Sequence, residues 1–128
     1  KDNTRYFDND VPMYRLAEAY LMKAEVENAL GNPIEAIKNL NVIAKRAYGV
    51  DNYYVATNKD SIDNYIIDEY MKEFVSEAKV WWVFMRFNKE FERVGPLKAL
   101  QGQKNITLWP VSFSCMTTNS KITQTEGY

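Results

Sequence analysis

The stretch that decides the fold reads 14-YRLAEAYLMKAEVENALGNPIEAIKNLNVIAKRAYG-49. Tyr14, Ala17, Leu21 and Ala24 follow one another at spacings of three, four and three, which puts them on one helical face. Upstream, Asp10 and Pro12 fit a helix start, because proline tolerates the first turn. Gly31 fits the position just past a helix end, where a positive φ is cheap for glycine. Asn32 then fits the cap of a second helix, Pro33 its first position, and Glu35 stands three residues after the cap. Ile37, Leu40, Ala44 and Ala47 form its stripe and Gly49 closes it. A two-residue Gly31-Asn32 joint makes the pair an antiparallel hairpin. The alanines on both stripes, with Ala36 beside them, imply a close approach of the two axes.

Beyond the hairpin, Asp51 to Lys59 is polar, carries Tyr53 and Tyr54, and reads as a loop. Asp60 or Ser61 is placed to cap a third, long helix. Ile67, Met71, Phe74, Ala78, Trp81 and Met85 recur at four, three, four, three and four, running the helix to about Phe87 or Asn88. Gly95-Pro96 ends any extension. No stretch alternates as a strand does. The expected architecture is all-α: a helical hairpin, a third long helix, and a long irregular C-terminal tail. The tail, residues 105–128, carries Trp109, Val111, Phe113, Ile122 and Tyr128 among Pro, Ser, Thr and Asn. A solvated tail is poor in such groups, so it is expected to pack on the helices. Trp109 before Pro110 is pushed toward an extended backbone. Side chains such as Gln124 and Asn119 should then supply partners for the tail's backbone.

Composition narrows the chemistry. The 128 residues suit one domain or a piece of one. Sixteen basic and 17 acidic side chains leave a net charge of -1, too balanced for a nucleic-acid footprint or for attraction to an anionic membrane surface. No apolar run approaches the roughly 18 residues of a membrane helix. No signal peptide is expected in it, and a chain starting at Lys1 is expected of a cut fragment or mature product. Histidine is absent and Cys115 is alone, which leaves no zinc site, no internal disulfide and no imidazole base for a hydrolase. No cofactor is implied.

Several residues invite a functional reading. Glu69, Glu73 and Glu77 stand at i, i+4 and i+8 on one helical face. A catalytic carboxylate pair must flank its substrate across a cleft, so this face is expected to be solvated or paired, for example Glu77 with Arg86 or Arg46. Glu25 is read as an acceptor for Arg46 or a tail backbone N–H. Trp81 lies on the third helix's apolar stripe and is expected in the core. Trp82 lies about 100° around the helix and is a weaker candidate for packing. Tyr53 and Tyr54, in a loop where binding residues concentrate, are the best exposed candidates. The ligand-binding candidates are therefore Tyr53, Tyr54 and Trp82.

The hairpin is similar to a tetratricopeptide unit, with Ala24 small in the first helix, Gly31-Asn32 at the turn, and Glu35-Ala36-Ile37 opening the second. Such a unit cannot bury its own face and must stack. A scaffold binding a partner protein or peptide is thus one reading. A longer resemblance is more specific. Tyr14, Arg15, Ala17, Leu21, Met22, Ala24 and Glu25, then Asn41, Arg46, Ala47, Tyr48 and Gly49, resemble the helical pair of the SusD/RagB family of nutrient-binding proteins. In EYMKEFVSEAKVWWVFMRF, Glu69, Glu73, Phe74, Glu77, Trp81, Arg86 and Phe87 fit the family's third-helix pattern ExxxEFxxEGxRWxDLxRF. Ala78 replaces its usual Gly, Val80 its Arg and Val83 its Asp. The tail's LWPV and NSKITQTEGY resemble its C-terminal signature, with Ser120 and Glu126 where Pro is typical.

The resemblance spans about Asp10 to Tyr128 and covers only the C-terminal part of the longer family members. It implies a single helical domain over 1–128 with a wrapping tail over 105–128, whose Trp109, Ile122 and Tyr128 sit as anchors in helix grooves. It implies a non-enzymatic protein that captures glycans or other nutrients at the outer face of a Bacteroidetes outer membrane, with a TonB-dependent transporter as partner. Attachment there is through a lipidated cysteine absent from this stretch, for which Cys115 is no substitute.

Overall fold

The computed structural model describes residues 13–56 and 58–128. Among them there are seven helices and no strand. The chain divides into two compact units, Lys1–Val83 and Phe84–Tyr128.

The first unit holds α1 (Leu16–Ala29), α2 (Pro33–Tyr48) and α3 (Lys59–Glu73). The expected start at Asp10 and Pro12 lies outside the described residues; the described helix begins after Arg15, which is extended at φ -134 and ψ 157. Gly31 takes φ 80 at the joint, as expected. Asn32 occupies the cap of α2 but makes no side-chain cap bond there; its amide donates instead to Glu27 Oε2 at 3.0 Å. Glu35 pairs with Lys38 at 3.2 Å. The hairpin seam is as close as its alanines imply: Leu21 and Ala24 face Ala36, Leu40 and Ala44, all with 0% exposure. Ala17 is half-buried and Ala47 exposed. The last turn of α2 instead sends Arg46 and Tyr48 toward α3.

Two hydrogen-bonded ends fix the direction of α3. Asn28, near the end of α1, donates to the Lys59 carbonyl at 3.0 Å and to Asp63 at 2.7 Å, where α3 begins. Arg15, at the start of α1, reaches Glu73, where α3 ends. So α3 runs antiparallel to α1 and parallel to α2, and residues 49–58 must return along the whole of α2. A helix of that length spans about 24 Å at 1.5 Å per residue, and ten extended residues reach about 33 Å, so the return loop is long enough with room for the turns at Gly49 and Asn52, whose φ values are 70 and 55. Asn41, midway along α2, holds it: its amide donates to the Tyr54 carbonyl at 2.9 Å and its Oδ1 accepts the Tyr54 N–H at 2.8 Å.

The cap of α3 is Asn58, which accepts the Ser61 N–H at 2.9 Å, ahead of the expected Asp60 or Ser61. Its buried face is Ile62, Ile66, Ile67, Glu69 and Tyr70, while Met71 is exposed. The expected continuous third helix is broken. After Phe74 the chain turns, with Ser76 at φ 65 and Ala78 at φ 56, before α4 (Val80–Phe87) starts. The cause is visible at Glu73, whose carbonyl accepts Arg15 Nη2 at 2.6 Å, while the Glu77 N–H goes to the Phe74 carbonyl. A cation at a helix C-terminus also opposes the helix dipole favourably.

The second unit contains the end of α4, then the short α5 (Glu90–Arg93), α6 (Gly95–Lys98) and α7 (Phe113–Thr118). The tail is thus not wholly irregular: Ser112 caps α7 through the Cys115 N–H. Gln124 clamps Val111, accepting its N–H at 2.8 Å and donating to its carbonyl at 3.1 Å. Tyr128 donates its hydroxyl to the Leu108 carbonyl at 2.7 Å. Gly127, at φ 110, is the residue type this closure needs, since a Cβ there would meet the Lys104 carbonyl oxygen at 2.7 Å. The expected tail anchors differ: Trp109 is 83%, Tyr128 52% and Ile122 38% exposed, and Phe113, another of the tail's large apolar residues, is 78% exposed. The tail is ordered at these positions through its backbone, not through the rings of Trp109 and Phe113.

Candidate functional site

Two clusters in the first unit hold most of the residues singled out in the sequence. The three regularly spaced glutamates divide between them.

In the first cluster Arg15 sits at the hub. Its Nε and Nη2 donate to Glu77 at 3.1 and 2.8 Å, and its Nη1 to Glu73 Oε1 at 2.6 Å. Arg46 bonds the other Glu73 oxygen. The Glu77 hydrogen bonds, then those to Glu73, push the Arg15 guanidinium above its ordinary pKa. Its plane also lies 4.3 Å from the centre of the Phe74 ring. The expected partners of Glu77 were Arg86 or Arg46; the actual partner, Arg15, lies 62 residues away. Arg46 likewise takes Glu73 and not Glu25. These bonds join the first turn of α1, the last turn of α2 and the end of α3, which is the work of a brace. Above it lies a groove of about 270 Å³ floored by Leu16, Tyr20, Val42 and Ile43.

The second cluster surrounds Glu69, buried at 1% exposure. Its Oε1 accepts the Tyr54 hydroxyl at 2.5 Å, the Tyr48 hydroxyl at 2.7 Å and the Lys72 ammonium at 3.1 Å. Burial and then the Glu69 hydrogen bond raise both tyrosines above the ordinary phenol range. For Lys72, burial works against the charge, but the bonds to Glu69 and Tyr48 prevail and its pKa is raised. Four tyrosine rings run through this corner, with centroids 4.6 Å apart for Tyr48–Tyr53, 4.8 Å for Tyr53–Tyr54 and 4.9 Å for Tyr54–Tyr65.

Of the three candidate ligand residues, Tyr54 is buried, not exposed as expected, and spends its hydroxyl on Glu69. Tyr53 is half exposed, its backbone neighbour pinned by Asn41, and its hydroxyl has no protein partner among the described residues. Trp82, on α4, is 60% exposed, whereas Trp81 is half-buried. Sequence reasoning missed Tyr48 as Tyr53's ring partner. Its position, at the end of α2 just before the loop, was the available signal. Among the described residues no group of three or more His, Cys, Asp or Glu is placed to hold a metal ion, and no helix is long and apolar enough to cross a membrane.

Comparison with known proteins places these features in a family. The SusD family model matches residues 1–128. The chain is 30% identical over 128 residues to a SusD-like protein of Formosa agariphila, a match covering 94% of this chain and 25% of that protein. It is 29% identical over 130 residues to the starch-binding protein SusD of Bacteroides thetaiotaomicron, covering 96% of this chain and 22% of the other. The chain therefore spans about a quarter of the length of these curated relatives. No solved structure matches it significantly. With the family pattern matched from end to end on an all-helical chain, this protein belongs to the SusD family.

Proposed function

We propose that the chain is the C-terminal part of a SusD-like nutrient-capture protein, non-enzymatic, which holds a glycan at the outer membrane surface and passes it to a TonB-dependent transporter. The family match over the whole chain supports the class, and the printed name of one relative, a starch-binding protein, suggests a glucan as first probe. The observation that carries a ligand role for this part is the Tyr53–Tyr48 pair: two partly exposed rings 4.6 Å apart, Tyr48 at the end of α2 and Tyr53 on the loop that Asn41 pins at the next residue. A pyranose has an apolar C–H face that stacks on such a ring, and a ring fixed beforehand loses little freedom on binding. Tyr54 and Glu69 serve beneath as support, and Trp82 is a second exposed ring of the same chemistry.

The carboxylates do not suit hydrolysis. Glu73 and Glu77 are engaged by arginines, and Glu69 is enclosed by two phenols and a lysine. The test is calorimetric titration of the chain with a linear malto-oligosaccharide. Tyr53→Ala should weaken binding by about 1 kcal/mol, roughly fivefold. Wild-type affinity in that variant, with the fold intact by circular dichroism, would remove Tyr53 from the site. Release of reducing sugar by the purified chain would overturn the non-enzymatic reading.

A further inference from the structure

The return loop does more than carry Tyr53. Just before that ring, Asp51 and Asn52 form one wall of a groove of about 360 Å³ that runs along α2. Its floor is Ile34, Ile37 and Val42; Ile34 is 74% and Val42 42% exposed. Lys45 stands on the rim, paired with Asp51 at 2.7 Å. Lys38, further along, is paired with Glu35. The volume falls in the range of small-ligand sites, about 300–1,000 Å³.

We propose that this groove is a saccharide subsite continuous with Tyr53 and selective for uncharged sugar units. The inference rests on the reading of Tyr53 as a ring platform and adds to it where the next units lie and what charge they carry. Three features support it. The apolar floor offers an area for C–H faces, and the rim offers both kinds of polar partner: Lys45 and Asn52 donate, Asp51 accepts. The ion pairs settle the charge. Each lysine at the groove already has a carboxylate, Lys45 with Asp51 in the lining and Lys38 with Glu35 beside it, so the groove together with its neighbouring partner is electrically balanced. A neutral hydroxyl can add a bond to Asp51 and another to Lys45 without parting them, since an ammonium has three donors and a carboxylate about four acceptor sites. A sugar carboxylate in the same place would meet the repulsion of Asp51 at close range, a cost that a hydroxyl does not incur. Finally, the wall is fixed in advance: Asn52 is held at φ 55, and Asn41 pins the chain two residues later.

The experiment compares four proteins, the wild-type chain, Tyr53→Ala, the double variant Lys45→Ala/Asp51→Ala, and Val42→Asp, against two probes, maltoheptaose and an oligogalacturonate of equal length. Folding of each variant is checked by circular dichroism. The expected result is that maltoheptaose binds the wild-type chain more tightly than the uronate does. The double variant and Val42→Asp should each weaken maltoheptaose about fivefold, and the amides of Val42, Lys45 and Asn52 should shift in its NMR titration. If Tyr53→Ala weakens binding while both groove variants bind normally, the groove is not a subsite and the Tyr53 platform stands alone. Equal or tighter binding of the uronate overturns the charge selection. Maltoheptaose binding that survives all three variants, or no binding by the wild-type chain, removes the platform and the groove together.

Discussion

Tyr54 holds its proton more firmly than an ordinary phenol, because it is buried and because its hydroxyl donates to Glu69. A pKa raised by folding means that the folded state binds the proton more tightly. The stabilisation is therefore complete below the unfolded value of about 10 and is lost as pH rises above it. Tyr54→Phe should melt about 1 kcal/mol less stably at neutral pH, from the lost bond, and its stability should fall less steeply than wild type above about pH 10. Urea titrations at several alkaline pH values check this; parallel curves would mean that Tyr54 does not govern the alkaline limb. Ala78 makes a second case. Its φ of 56 lies in the left-handed region that glycine adopts without strain. Left-handed backbone costs an L-residue about 1–2 kcal/mol, and glycine's freer unfolded chain returns about 0.4–1 of that. Ala78→Gly is thus expected to stabilise by about 0.5–1 kcal/mol in thermal melts. Neither residue's state was legible from its neighbours in sequence. Tyr53 and Tyr54 look alike in a polar loop, and Asn41, 13 residues upstream, decides which one turns inward.

At the level of elements, the hairpin was readable because its spacing, its glycine and its proline all agree, and agreement across local signals is what specifies a helix pair. Ala24→Leu puts that seam to a direct test. At 0% exposure it has no room for a larger side chain, and overpacking should destabilise by about 1–3 kcal/mol; an unchanged melting temperature would mean that the axes lie further apart. The third helix was legible only as far as Phe74. Its apolar period continues into α4, but the break between them depends on Arg15, 58 residues from Glu73, which no local period can report. The direction of α3 was equally hidden, because a polar ten-residue loop says nothing of whether it turns back or runs alongside. Asn41→Ala removes both bonds that tie the return loop to α2. The expected outcome is faster hydrogen exchange at the Tyr54 amide and a loss of about 1–2 kcal/mol; protection equal to wild type would assign the loop's order to the tyrosine rings alone.

At the scale of the whole molecule, the two units keep order by different means. The first buries aliphatic seams. The second closes on itself through Gln124, Asn105 and Tyr128, with much of its backbone bonded to side chains. The sequence indicated that Gln124 would serve the tail's backbone, since an extended segment must find partners; it could not indicate that Val111 would receive both bonds. Gln124→Ala should therefore open the tail, and trypsin should cut after Lys121 sooner than in wild type. An unchanged cleavage rate would show that Tyr128 and Asn105 suffice. The brace at Glu73 has a consequence of another kind, in mutational history. A simple pair such as Glu35 with Lys38 can exchange its charges in two substitutions, passing through one exposed mismatch. A carboxylate shared by two guanidiniums has no such short route: reversing Glu73 gathers three cations at the meeting point of three helices until both arginines have also changed. Lineages descending from this sequence are thus expected to drift freely at Glu35 and Lys38 while inheriting Arg15, Arg46 and Glu73 as one block.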